Sequence, residues 1–284
     1  ASIEIPEATT IEDHAFYTCT ALTSADLPKA TTIGGSAFYY CTALTSADFP
    51  KAITIGDYTF AGCTGLSSVE LPEAITIEVG AFSGCTELTS INLPEATTIG
   101  GYAFSGCTAL ASVDLPEATT IGEYAFYECE DLTSIELLEA IEIGLYAFYK
   151  CTALSSVDLP AATTFGNRAF GYCTSLTTIE LPEATTFGTL VFHSCSELTS
   201  INLPKITILG QLTTTANAKL TAVYVATVSG VTLDTSYLTS TTFLNSSAYT
   251  LYIGSANSDI VDLDLDCIYT DTWATFFNEI ILVD

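Results

Sequence analysis

The sequence predicts a right-handed solenoid of short parallel strands, an α/β-type superhelix that is mostly β. The first observation is a 22-residue repeat, in which phenylalanine recurs nine times at one fixed step. The second is that a cysteine follows each phenylalanine by three residues, and a leucine follows each cysteine by three. The phenylalanines run from Phe16 to Phe192 and the cysteines from Cys19 to Cys195. Such a period is typical of a stacked repeat protein, because each unit can form one coil.

Each unit contains one short strand. In the segment L-x-x-I-x-L-P, apolar residues alternate with a polar one, as at Ile91 and Leu93, and Pro94 follows. Alternation places the apolar residues on one side of the strand, and proline ends it because it has no N–H for a continuing ladder. Gly100 marks the next turn, and residues 103–107 suffice only for a short helical turn. Each unit therefore predicts one coil with a short helical turn on its convex side.

Stacking of these coils predicts one continuous core, since neighbouring coils bury apolar residues that a single coil would leave exposed. We expect about ten coils over residues 1–226, the first of them partial. The strand of the tenth coil is predicted from Leu220, Val223 and Val225, with Asn217 at the cysteine position.

Residues 227–284 leave the period and predict a C-terminal cap that continues the solenoid. Apolar residues at 251–253 and 280–282 predict two strands, and Trp273, Phe276 and Phe277 predict a short helix before the last strand. A cap is expected because an open solenoid end exposes its core and its strand edge.

The charge of the chain is one-sided, with 33 acidic residues against 6 basic ones and a formal net charge of -27. Nucleic-acid binding is excluded, because phosphate recognition requires clustered lysine and arginine. No apolar run approaches the roughly 20 residues that cross a bilayer, so we expect no membrane insertion. The chain has no methionine, which favours a processed protein whose leader was removed, and an extracellular or cell-surface location.

The nine in-register cysteines are interpreted as buried free thiols that act as small apolar fillers. One cysteine per coil offers neither the clustered pairs nor the tetrahedral geometry of a metal site, so we expect neither a metal nor a cofactor. Side chains that run in parallel into the core disfavour disulfides between them. An odd number cannot pair completely within the row, and Cys267 is the one remaining candidate partner.

The residues give no support for catalysis. The two histidines, His14 and His193, are eight repeats apart, which at about 4.8 Å per coil separates them by roughly 40 Å. The sequence has no G-x-S-x-G or H-E-x-x-H stretch. The chain is interpreted as a non-enzyme, with chemistry by carboxylates alone as the remaining alternative.

Strand alternation sends two residues of each L-x-x-I-x-L segment to solvent on the presumed concave face, with a third at its margin. The three resulting rows are mostly threonine, mostly serine and mostly acidic, and Asn92 and Asn202 interrupt the acidic row. The candidate partner-binding residues are Asp26, Asp48, Glu70, Asp114, Glu136, Asp158, Glu180, Ser68, Ser90, Ser112 and Ser134. This face either recognises a partner with cationic groups or is only a solvated surface whose charge deters aggregation.

Two further patterns have open interpretations. Carboxylates suit calcium, but one per coil does not converge on a point, and the run Asp262, Asp264 and Asp266 has Cys267 where a calcium loop requires glycine. We interpret that run as an acidic strand face. Tyrosines beside the phenylalanine row can bind glycans or proteins, or can pack over neighbouring coils with their hydroxyl groups in water.

The unit A-F-x-x-C-x-x-L-x-x-I-x-L-P with I-G-x-x-A-F closely resembles the BspA-like class of bacterial leucine-rich repeats. The resemblance covers residues 1 to about 210, with isolated departures such as Leu138 for proline and Glu78 for glycine. It implies the leucine-rich-repeat fold, surface adhesion and attachment to host proteins. We therefore expect an adhesin-like protein that binds extracellular proteins or glycans across several repeats. The alternative is a spacer or assembly module whose N-terminal edge, at Ile3 and Ile5, meets another copy end to end.

Overall fold

The computed structural model describes residues 1–205, 219–220, 222–227, 250–255 and 279–283. Nine coils of 22 residues stack on one another, and each has a three-residue strand, a two-residue strand and a segment of turns. Strands pair in parallel with the strand 22 residues away, for example Ser2 with Ser24 and Thr10 with Thr32. The predicted solenoid of parallel strands is confirmed.

The first strand of each coil begins one residue before the predicted I-x-L segment; nine of these strands end just before its last apolar residue, and the tenth includes it. These strands are β1 (Ser2–Glu4), β3 (Ser24–Asp26), β5 (Ser46–Asp48), β7 (Ser68–Glu70), β9 (Ser90–Asn92), β11 (Ser112–Asp114), β13 (Ser134–Glu136), β15 (Ser156–Asp158), β17 (Thr178–Glu180) and β19 (Ser200–Leu203). They form parallel groups: β1 to β7, β9 with β11, β13 with β15, and β17 with β19.

The second strand of each coil forms a separate nine-stranded parallel sheet. Its strands are β2 (Thr10–Ile11), β4 (Thr32–Ile33), β6 (Thr54–Ile55), β8 (Thr76–Ile77), β10 (Thr98–Ile99), β12 (Thr120–Ile121), β14 (Glu142–Ile143), β16 (Thr164–Phe165) and β18 (Thr186–Phe187). The isoleucine or phenylalanine of each strand is buried, and the residue before it faces outwards.

The first sheet continues beyond the nine coils. Strands β20 (Ala222–Thr227), β21 (Thr250–Ser255) and β22 (Glu279–Val283) follow β19 in parallel order. Ser200 pairs with Ala222, Ala222 with Thr250, and Thr250 with Glu279, so the step along the chain lengthens after β20. Strands β21 and β22 lie where the sequence predicts them. The predicted helix at Trp273, Phe276 and Phe277 lies outside the described residues, and the domain boundary after residue 226 stays a prediction.

A four-residue turn forms the corner between the two sheets, and proline favours it without being required, since the coil with Leu138 at that position keeps the bond from Ala140 to Leu137 at 3.3 Å. After β9, Leu93 donates its N–H to Asp114 of the next coil, and the N–H of Ala96 returns to the carbonyl of Leu93 at 3.2 Å. Pro94 thus occupies the second position of a four-residue turn, which its fixed φ favours and where no N–H is needed. The chain then enters the second sheet.

The third side of each coil consists of turns, and within the described residues it contains no helix, so the predicted short helical turn is wrong in detail. Alternate amides serve different partners: Phe104 donates to Ala125 of the next coil at 2.7 Å, whereas Ser105 donates back to Tyr102 at 3.0 Å. Positive φ values at Tyr102 (60°) and Gly106 (73°) make this alternation possible. A helix would direct all these amides along its own axis, so the bonds between coils replace it.

A stack of phenylalanine rings runs through the core, beside buried leucine, isoleucine, alanine and cysteine side chains. Consecutive rings from Phe38 to Phe170 lie 5.2 to 5.3 Å apart between centroids and are nearly parallel. Each of these side chains is fully buried. Phe16, in the first coil, is only partly buried. A phenylalanine therefore contacts the coils on both sides of its own, which explains why the period is strict.

Eight cysteines are buried free thiols, as predicted, but Cys19 in the first coil is exposed. Each buried thiol donates a hydrogen bond to a phenylalanine carbonyl 25 residues earlier, such as Cys107 to Phe82 at 3.1 Å. The same bond recurs for the other seven, at Cys41, Cys63, Cys85, Cys129, Cys151, Cys173 and Cys195. The cysteines are therefore hydrogen-bond donors between coils as well as the apolar fillers that the sequence predicts.

Candidate functional site

The outward side of the first sheet carries all eleven candidate residues, and we call it the acidic face. In β11 the central Val113 turns inwards, while Ser112 and Asp114 are exposed. The same holds in the other strands, so the candidates form two rows: Ser68, Ser90, Ser112 and Ser134 in one, and Asp26, Asp48, Glu70, Asp114, Glu136, Asp158 and Glu180 in the other, all of them exposed. Alternation along the strand was enough to predict this placement.

The register of the strands brings the acidic side chains into line. Asp26 pairs with Asp48, Asp48 with Glu70, and Glu136 with Asp158. Parallel strands lie about 4.8 Å apart, and two unit charges at that distance repel by about 1 kcal/mol in water. The acidic face thus holds charge at a cost in stability.

The threonine row at the margin of this face has a structural task. Thr45 donates its hydroxyl to the carbonyl of Thr23 at 3.0 Å, and Ser67 and Ser155 donate likewise to Thr45 and Thr133. These hydroxyls tie one coil to the previous one. Of the three rows predicted from the sequence, the serine and acidic rows are therefore the ones with groups directed to solvent.

Every cation of the chain is engaged away from the acidic row. The five lysines pair with glutamates one coil away: Lys29 with Glu7, Lys51 with Glu73, Lys150 with Glu128, Lys205 with Glu183 and Lys219 with Glu197. The one arginine, Arg168, donates to the hydroxyl of Tyr146 at 2.8 Å. None of these partners belongs to the acidic row, so within the described part of the chain that row has no lysine or arginine of its own.

The acidic face ends in a shallow depression of about 280 Å³. Glu180 is in register with Asn202, and Asn202 with Tyr224, so an aromatic ring takes over the acidic position. The lining residues are Thr178, Ile179, Glu180, Ser200, Asn202 and Tyr224. A carboxylate, an amide, two hydroxyls and a ring that is 40% exposed meet here, a mixture that the repeat pattern did not predict because Tyr224 lies at its end.

The tyrosines lie on the turn side of the solenoid and pack over neighbouring coils. Tyr102, Tyr124 and Tyr146 stack with centroid distances of 4.7 and 4.9 Å, and the guanidinium of Arg168 lies 5.6 Å from the centroid of the Tyr146 ring. The ring faces are thereby covered by one another. Of the two interpretations open at the sequence level, the stacking supports packing.

The repeat geometry agrees with known proteins. The sequence profile described as BspA type leucine rich repeat region matches six copies over residues 1–111 and 97–220. The chain belongs to the BspA-type leucine-rich repeat family. A search of curated proteins gave no significant match.

Solved structures share this BspA-type architecture. A leucine-rich repeat protein from Bacteroides ovatus has a TM-score of 0.68 at 25% identity, over 89% of this chain and 70% of that one. A leucine rich cell surface protein from Faecalibacterium prausnitzii has a TM-score of 0.54 at 23% identity, over 100% and 87%. A third, from Eubacterium ventriosum, has a TM-score of 0.50 at 21% identity, over 82% and 75%. The second and third likenesses concern the fold alone.

The BspA-type coil also presents the outward side of the second sheet, which the sequence analysis did not single out. We call it the threonine face; it consists of residues 9 and 10 and their equivalents every 22 residues up to 185 and 186. Fourteen of these eighteen residues are threonine, three are isoleucine and one is Glu142. The doublet T-T before isoleucine is visible in the sequence, but the near absence of charge on this face becomes evident only in comparison with the acidic face.

The reactive groups of this BspA-type chain are dispersed. Burial raises the pKa of the thiols of Cys129, Cys151 and Cys173, and raises that of Cys195 to about 12. Among the described residues, no three His, Cys, Asp or Glu side chains are grouped so as to hold a metal ion. No helix found in those residues is long and apolar enough to span a membrane.

Proposed function

We propose that this BspA-type protein is a surface or secreted recognition protein that binds a partner with cationic groups along its acidic face. The observation that carries the proposal is the acidic row itself. Seven candidate carboxylates are exposed in line, while the lysines form ion pairs elsewhere. Repulsion along the row is relieved when a partner supplies positive charge.

The regular spacing favours a protein partner that makes several weak contacts at once. Apart from the coil of Asn92, each coil from Asp26 to Glu180 adds one carboxylate about 4.8 Å further along, so lysine and arginine side chains on an extended surface meet several acceptors at once. Exposed ion pairs each contribute little, and their sum across coils gives the affinity. Binding of this kind is sensitive to salt, since charges are screened over about 8 Å at physiological ionic strength.

The family supports an extracellular role without catalysis. The Faecalibacterium prausnitzii protein is described as a cell surface protein, and leucine-rich repeats expose extended surfaces rather than closed clefts. His14 contacts Tyr17, and His193 contacts Tyr172, so each histidine packs against a tyrosine within its own end of the solenoid. We therefore propose that the chain is an adhesin-like, non-catalytic protein and that its partner is an extracellular protein with cationic groups.

The test is capture on an array of purified extracellular matrix proteins and glycans. Asp114→Asn, Glu136→Gln and Asp158→Asn together remove three carboxylates from the acidic row. At about 1 kcal/mol each, their loss lowers capture at least tenfold. Raising the salt from 0.05 to 0.5 M should weaken capture by the unmodified protein in the same direction.

The matched control removes three exposed carboxylates that lie two residues after the buried leucine of each coil, through Glu95→Gln, Glu117→Gln and Glu139→Gln. This variant has the same net charge as the first and should keep its capture within twofold. An equal loss of capture in both variants would mean that capture depends only on net charge. No loss in the first variant would mean that the binding site does not lie on the acidic face. Light scattering of the same samples tests the alternative of an assembly module, which requires oligomers that form without a ligand.

A further inference from the structure

The threonine face is nearly free of charge in a chain whose net charge is -27. Seventeen of its eighteen outward residues are threonine or isoleucine, and Glu142 is the exception. The nine strands beneath it are paired in register, for example Thr76 with Thr98 and Thr98 with Thr120. An uncharged surface of this length on so acidic a protein does not serve solubility.

The two threonine rows differ in their hydrogen bonds. In the row of residue 9, Thr31, Thr119 and Thr185 donate their hydroxyls to the carbonyl one coil earlier. In the row of residue 10, seven hydroxyls have no protein partner in the part of the chain that the structure describes; they belong to Thr10, Thr32, Thr54, Thr76, Thr98, Thr120 and Thr186. The row of residue 9 therefore stabilises the sheet, and the row of residue 10 presents free hydroxyl donors and acceptors, one per coil in seven coils.

Apolar groups accompany these hydroxyls. Ile53, Ile75 and Ile141 are 44%, 45% and 50% exposed on the same face, and each threonine adds a methyl group. Ile53 and Ile75 lie on neighbouring coils, and together with the threonine methyl groups they add apolar contact area to the face. The face thus combines methyl groups with hydroxyls and lacks charge, apart from Glu142.

The shape of the face restricts its ligand. Nine strands about 4.8 Å apart span roughly 40 Å, and two residues along a strand span roughly 7 Å, so the face covers roughly 300 Å². A stable protein interface buries about 800 Å² on each partner. A globular protein would therefore have to contact the neighbouring surfaces as well, whereas a long thin polymer can follow this strip by itself.

We propose that the threonine face binds an extended uncharged polysaccharide that lies along the solenoid axis. Sugar hydroxyls bond to the row of free threonine hydroxyls, and the C–H faces of the sugar rings pack on the isoleucine and threonine methyl groups. Each coil repeats the same contacts, so a polymer gains affinity with each coil that it spans. Anionic polysaccharides are repelled by the charge of the chain.

Glu142 shows which substitutions can test this proposal without unfolding the protein. It occupies the row of residue 10 in β14 and pairs with Thr120 and Thr164 without disturbing the register, so a glutamate is compatible with the fold at this position. Thr54→Glu with Thr98→Glu places charge in the longest uncharged stretch, whereas Glu142→Thr extends that stretch to all nine coils. The two variants should change affinity in opposite directions.

The measurement is a pull-down isotherm on insoluble cellulose, chitin, mannan and xylan, with the anionic alginate as a comparison. The unmodified protein should bind at least one uncharged polymer and not alginate, Thr54→Glu with Thr98→Glu should weaken binding at least tenfold, and Glu142→Thr should strengthen it two- to threefold. The variant of the acidic face, with Asp114→Asn, Glu136→Gln and Asp158→Asn, should bind as the unmodified protein does. Circular dichroism confirms that each variant is folded.

Two results would overturn the proposal. One is that the unmodified protein binds none of the four uncharged polymers; the other is that affinity is the same with and without glutamate on the threonine face. Sedimentation velocity at rising protein concentration adds a separate criterion, because self-association that Thr98→Glu abolishes would assign the face to a second copy instead.

Discussion

The acidic face and the threonine face are built from the same coil and differ only in what points outwards. In β11, Val113 is directed inwards and Ser112 and Asp114 outwards, while in β12 Ile121 is directed inwards and Thr120 outwards. The inward residues are apolar in every coil because each must pack against the coils on both sides. The outward residues carry no such restriction. One surface can therefore be charged and another uncharged on a single core.

Alkaline pH should have the largest effect, because it disrupts the common core while altering neither face directly. Burial raises the pKa of Cys129, Cys151, Cys173 and Cys195 above the usual value of 9.0, in the last case to about 12. Between pH 9 and 12 the unfolded chain has lost these protons and the folded chain retains them. The free energy of unfolding should therefore fall as pH rises through this window, by about 1.4 kcal/mol per pH unit for each thiol.

Far-UV circular dichroism from pH 7.5 to 11 checks this prediction, with the pH of half-unfolding as the readout. Cys129→Ser, Cys151→Ser and Cys173→Ser together keep a donor for the phenylalanine carbonyls but remove three titrating groups. With the stability of each protein at pH 7.5 taken as its reference, this variant should reach half-unfolding at a higher pH than the unmodified protein. An unchanged pH of half-unfolding would contradict the role of the thiols.

A change in the phenylalanine stack ranks second. Phe126 is fully buried between Phe104 and Phe148, and Phe126→Ala leaves a cavity, so we expect a loss of about 3 to 5 kcal/mol in the free energy of unfolding. The adjacent Tyr127 is half-buried on the turn side and stacks on Tyr149. Tyr127→Ala should cost roughly 1 kcal/mol. Urea denaturation measures both losses in the free energy of unfolding. Equal losses would contradict the expectation that inward residues stabilise the coil more than outward residues do.

The smallest effect separates the two faces directly. Glu136 is in register with Asp158 on the acidic face, so Glu136→Gln relieves repulsion and should raise the free energy of unfolding by up to about 1 kcal/mol. Thr120 is in register with Glu142 on the threonine face, so Thr120→Glu should lower it by a similar amount. Both shifts should shrink in 1 M salt, where charges are screened over about 3 Å. Shifts of the same sign would show that the faces do not differ in charge.

The sequence by itself determined the solenoid, its 22-residue coils and the side of each residue in the first strand. A fixed period and strand alternation are one-dimensional patterns, and Phe104, Ser112 and Asp114 follow from counting along the chain. The buried position of eight cysteines followed in the same way. The error over short helical turns arose because local length and composition do not reveal that Phe104 bonds to the next coil.

The tertiary structure alone decided how the coils are joined and which polar groups stay free. The bond from Cys107 to Phe82 spans 25 residues, which is one coil plus the three residues from phenylalanine to cysteine, so it depends on where the thiol of one coil meets the backbone of the previous coil. The lysine pairs and the bonds of Thr31 and Thr119 likewise depend on side-chain direction. A sequence period shows which residues are equivalent; only the packed coils show which of them are already satisfied and which remain free for a ligand.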